Sequence, residues 1–173
     1  MYIEHELNKK MSYSFDVLGF AHLGSAIFAM ILGMFVILIR KGTKKHIYFG
    51  YSYVISMIIL NITALMIFDL FGGFGPFHYM ALFSLATVLL GIIPAYRKKP
   101  EKNWLDYHYE FMNWSVIGLY AAFWSEIFSR YFRFAGFWTL VIVATILTVV
   151  IGAFLLKSKK KRILKEYSLL NKK

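Results

Sequence analysis

The sequence predicts an all-α integral membrane protein with five transmembrane helices, four forming an antiparallel bundle and the fifth an accessory. Three observations carry this. The 173 residues have a mean hydropathy of +0.58 and are 59% hydrophobic, well above the apolar share of a soluble domain. Residues 17–39, 46–68, 70–96 and 134–156 carry no Asp, Glu, Lys or Arg, and each is as long as the roughly 20 residues a helix needs to span a bilayer. The positive charges gather in alternate connections, as they do when the chain crosses a membrane repeatedly.

The elements follow in order. Residues 1–16 read as a polar external tail preceding the transmembrane domain, 17–156. With a span starting near residue 17 and no small-residue cleavage pattern after it, no cleavable signal peptide is expected. The first helix covers about 17–39 and the second about 47–69. "FGGFGPF" (71–77) is a tight turn, with a proline placed to open the next helix. The third helix covers about 77–96. "RKKPEKNW" is a basic loop leading to the fourth helix, 106–130. That helix is the weakest span, because Glu110 and Glu126 interrupt it. The fifth, 135–156, has only threonine as polar content and reads as a lipid-facing accessory. The tail 157–173 is basic, with room for a short surface helix. Short connections make helices 1–4 antiparallel neighbours.

Charge distribution sets the expected orientation. Loops 40–46 and 97–102 hold four Lys/Arg each and the tail holds eight, against four on the opposite side. The positive-inside rule places these loops and the C-terminus in the cytoplasm and the N-terminus outside, as expected for a cytoplasmic (inner) membrane. The basic loops and tail would meet anionic lipid headgroups, which is a simpler use of the charge than nucleic acid. With no cysteine, disulfides, thiolate chemistry and Cys-ligated metals are excluded.

Polar residues inside spans are expensive and face protein or a cavity. At 100° per residue, His108 and Glu126 share one line of the fourth helix, roughly 27 Å apart. Met112, Ser115, Leu119 and Ala122 lie near that line, and Arg130 sits one turn beyond Glu126, where an ordinary i,i+4 ion pair is an equal reading. The other histidines form layers. His22 and His78 open helices 1 and 3 on the outer side; His46 and His108 open helices 2 and 4 on the inner side. Glu126, Arg130 and Asp69 join the outer layer. Ala26, Ala29 and Gly33 follow His22 on its face, and Gly50, Tyr53, Met57 and Ala64 follow His46, with Asn61 slightly off the line. Small residues beside a histidine admit either a neighbouring helix or a flat ligand.

Three chemistries compete. The first is two b-type haems, ligated by His22 with His78 and by His46 with His108 from diagonal helices, giving electron transfer across or within the membrane. The layout resembles the di-haem transmembrane cytochromes of the ascorbate-reducible type, and a quinone or a membrane protein would be its partner. The second is zinc on His22, His78 and Glu126, with one open position for hydrolysis at the outer leaflet. The third has no cofactor: the seam fixes helix register in an assembly or binding protein.

Three segments taken together, "HIYFGYSYVISM" (46–57), "GPFH" (75–78) and "HYEFMNWSVIGLYAAFWSEIFSR" (108–130), resemble the bacterial predicted membrane proteins of domain of unknown function 2306. The resemblance covers about residues 18–130. It implies a four-helix core and motif positions at His46, His78, His108, Met112, Ser115, Glu126 and Arg130, and it implies no activity.

Overall fold

The computed structural model describes residues 2–68, 72–132 and 135–170, with side chains from Val17 onward except at Arg130, Glu166 and 168–170. The described residues form five α-helices: α1 (Tyr2–Leu38), α2 (Lys44–Met66), α3 (Pro76–Arg97), α4 (Trp104–Tyr131) and α5 (Phe137–Leu170). Four of them are long and apolar enough to cross a membrane, over Val17–Leu38, Lys44–Met66, Pro76–Arg97 and Phe137–Lys165. The chain is an all-α integral membrane protein. α4 is not among the four: besides Asp106, Glu110, Glu126 and Arg130 it carries Asn113, three serines and several Trp and Tyr residues, which lower its hydropathy. Its 28 residues still extend about 42 Å at 1.5 Å each, and neighbouring helices flank it.

Local chemistry fixes the helix starts. Thr43 caps α2, its side-chain oxygen accepting the His46 N–H at 3.2 Å, which satisfies one of the donors a helix leaves free at its start. Gly42, just before it, has φ +76°, a conformation open to glycine at little cost. Pro76 begins α3, where its missing N–H costs nothing.

The helices form a ring, α1–α2–α3–α4, closed by lighter packing of α4 on α1, with α5 on the outside of α4. α1 faces α3 across the ring, and α2 faces α4. Ala29, Val36, Tyr53, Val54, Met57, Val88, Met112, Val116 and Leu119 fill the core. Tyr53 crosses the diagonal to bond Ser115 at 2.9 Å. Ser115 gives its own proton to the Met112 carbonyl, so Tyr53 is the donor. Gly33 lets the Tyr53 ring in: a Cβ there would stand 3.1 Å from Tyr53 Cε2.

Two expectations need adjusting. α1 begins at Tyr2, so the polar N-terminal segment continues the first helix. α5 does not end near residue 156 but runs unbroken to Leu170. Its extension lies along the end where the basic loops gather, called the basic end below. Ile163 and Leu164 pack there with Tyr109 and Leu156, Tyr109 donates to the Leu156 carbonyl at 3.1 Å, and Tyr167 meets Trp104 edge to face at 6.1 Å.

Candidate functional site

The basic end contains a cavity of about 420 Å³, within the size range of small-molecule sites. Every helix contributes to its wall: Val36 from α1, His46, Gly50 and Tyr53 from α2, Ile92 and Ala95 from α3, His108 and Met112 from α4, and Ile163, Leu164 and Tyr167 from α5. Lys41 and Lys98 line it from the loops. Gly50 has nothing within 4 Å of where a Cβ would stand, so this glycine opens space.

His46 and His108 meet on that wall. Their ring centroids are 6.3 Å apart and their planes cross at 85°. The placement is local in origin on both sides. The Thr43 cap sets His46 in the first turn of α2. His108 is held by the Gly91 carbonyl, 2.9 Å from its Nδ1. A carbonyl only accepts, so Nδ1 carries the proton and Nε2 keeps its lone pair. Gly91 permits this approach: a Cβ there would stand 2.7 Å from Met112 Sδ and 3.1 Å from the Met112 nitrogen. His46 Nδ1 is buried without a hydrogen-bond partner. Lys41 donates to the Val36 and Ile37 carbonyls at 2.5 and 2.8 Å, and burial pulls its ammonium down to about 8.

The opposite end is built differently. His78 is buried, its ring stacked between Phe68 at 4.9 Å and Phe74 at 4.6 Å. The Gly75 N–H donates to its Nδ1 at 3.0 Å, so Nε2 holds the proton of the neutral ring, and Nε2 is buried without a partner. A metal ligand needs a free lone pair, and His78 offers none while this cap stands. His22 Nδ1 lies 3.1 Å from Thr63 Oγ1. Thr63 gives its proton to the Ile59 or Leu60 carbonyl, so His22 is the donor. Glu126 is exposed yet close enough to act on the His22 ring. No ring contact joins His22 to His78, and no group of three His, Asp or Glu suited to a metal ion occurs, among the described residues. Asp69 and the Arg130 side chain lie outside the described residues.

The predicted seam on α4 is half right. Met112, Ser115 and Leu119 are buried, whereas Ala122 and Glu126 face outward. Asn61 is buried and donates to the Met57 carbonyl at 2.7 Å, a bond within its own helix. The small residues after His22 serve packing, since Ala29 is in the core and Tyr53 occupies the space at Gly33. Sequence reasoning missed Lys41, Lys98 and the α5 wall. The lysines stood among loop charges read only as topology signals, and nothing local marks a tail that folds along its own bundle.

Fold and cavity together define a polytopic all-α membrane protein with a ligand-sized site at its basic end. More particularly, the chain belongs to the DUF2306 family of predicted membrane proteins, whose sequence profile matches residues 19–160. The match takes in the membrane portion of α1 from residue 19, all of α2, α3 and α4, and most of α5. No curated protein and no solved structure matches the chain.

Proposed function

We propose that this protein binds one b-type haem at its basic end through His46 and His108, and exchanges single electrons there. The observation that supports this most is the 6.3 Å between the two ring centroids. A metal–imidazole bond is about 2.0–2.1 Å and a ring nitrogen lies about 1.1 Å from its centroid, so two imidazoles on opposite sides of one metal stand roughly 6.2–6.4 Å apart. The rings come from α2 and α4, which face each other across the bundle, so the two side chains would hold the group between them. The Gly91 carbonyl on His108 Nδ1 is the outer partner that metal-bound histidines commonly have. Gly50 and the 420 Å³ cavity leave room beside them. Bound haem would supply reversible one-electron chemistry; the chain supplies ligands, an apolar wall and exclusion of water. On this reading the outer histidines are structural, and one haem is held rather than two. By the positive-inside rule the site faces the cytoplasm.

The test is an absorbance spectrum of protein purified from a haem-replete host, oxidised and then reduced with dithionite. The reading expects b-type bands at about one haem per chain, lost in His46→Ala and in His108→Ala and kept in His22→Ala and His78→Phe. Folded but colourless protein overturns it. Zinc near one equivalent in such protein would favour a hydrolase, and neither cofactor would favour an assembly or binding role.

A further inference from the structure

The cavity wall is charged with one sign only. Lys41 and Lys98 line it with the two histidines, and no Asp or Glu does among the described residues. The carboxylates nearest in sequence to His108, Asp106 and Glu110, are engaged by Lys160 of α5 at 3.1 and 2.8 Å. Both are drawn to this one ammonium on the α5 side, and neither lines the cavity, so the wall itself carries no counter-charge to the lysines among the described residues. Lys41 spends two of its three N–H groups on the Val36 and Ile37 carbonyls, and an ammonium has three donors. Cations on low-dielectric walls focus the local potential and select ligands by charge. Apart from Asn113, whose amide donates to the Tyr109 carbonyl, the rest of the lining, including Ile92, Leu105, Trp104 and Leu164, is apolar or aromatic. Such a wall suits an amphiphile that is flat or greasy over most of its surface and acidic at one edge.

We propose that Lys41 and Lys98 form the seat for the acidic groups of the ligand, so that the cavity accepts a carboxylate-bearing amphiphile over a neutral or cationic one. This deepens the haem reading, where the acidic groups are the two propionates, but it can be tested without haem.

The chain has no cysteine, so Ala95→Cys places a single thiol on the cavity wall. Its labelling rates with an anionic and a cationic methanethiosulfonate are compared, in neutral phosphatidylcholine nanodiscs, with those of free cysteine. The anionic reagent should be favoured roughly tenfold more than with free cysteine. Adding Lys41→Gln and Lys98→Gln should abolish that preference. In parallel, haemin and its dimethyl ester are titrated into apoprotein. Haemin should bind roughly tenfold tighter, with the gap closing in the double variant. A labelling ratio equal to that of free cysteine, or an ester binding as tightly as the diacid, overturns the proposal. If neither porphyrin binds, the haem reading fails by itself and the labelling ratio alone decides the charge seat.

Discussion

A histidine's value as a ligand is decided by what holds its other nitrogen. His108 gives its Nδ1 proton to the Gly91 carbonyl, which frees Nε2. His78 accepts at Nδ1 from the Gly75 N–H, which commits Nε2 to a proton. The two look alike in sequence and differ in chemistry. The same closeness predicts that Gly91→Ala is harmful. Its Cβ would press on Met112, backbone included, and overpacking costs about 1–3 kcal/mol; a lowered thermal midpoint in detergent would show it. Tyr53→Phe should cost about 1 kcal/mol by removing one buried hydrogen bond, read by the same melt. Lys41 carries a pH signature. Burial lowers its folded value to about 8 from the ordinary 10.5, so the unfolded chain holds more protons between the two. Stability therefore gains from this residue as pH rises from 8 to 10.5. The thermal midpoint relative to Lys41→Met should climb across that window and be flat below pH 7. A gap that shrinks with rising pH would contradict the assigned burial.

At the scale of elements, α5 has two jobs along one length. Its membrane portion packs on α4, where Ile117 sits against Gly152 and Ser125 bonds Thr145 at 3.1 Å. Its extension closes the side of the cavity through Ile163, Leu164 and Tyr167, and Lys160 ties it to Asp106 and Glu110. These pairs are part-exposed, and such pairs contribute only about 0–1 kcal/mol. Lys160→Ala should thus leave the global melting midpoint nearly unchanged while raising hydrogen exchange in residues 157–170. Unchanged exchange there would mean that the apolar contacts alone hold the extension.

For the whole molecule, the bundle is asymmetric. The basic end is hollow, with cations and a free imidazole lone pair; the other end is filled by aromatic rings stacked on His78. Such polarity suits a protein that meets its ligand from one side of the membrane. The charge bias predicts that side to be the cytoplasm. A C-terminal green fluorescent protein fusion should fluoresce in cells, and a C-terminal alkaline phosphatase fusion should be inactive; an active phosphatase would reverse the orientation.

The sequence by itself determined the class, because charge-free runs of span length leave a chain few alternatives in water. It also determined the family, through His46, His78, His108 and their neighbours, and the ring of antiparallel helices, through short connections. It sorted the histidines by depth, since helix direction alone does that. Only the tertiary structure decided which histidines meet. Depth is a property of one helix, but meeting depends on how two helices rotate and what fills the space between them. Gly33 and Gly50 look equivalent in sequence; one receives the Tyr53 ring and the other opens onto the cavity. Lys41 and Lys98 read as loop charges until the ends of α1 and α3 bring them to one wall. The tail from residue 157 reads as a basic segment or short surface helix until Tyr167 packs on Gly42. Each of these depends on contacts between residues far apart in the chain, and a local pattern of hydrophobicity and charge carries no record of them.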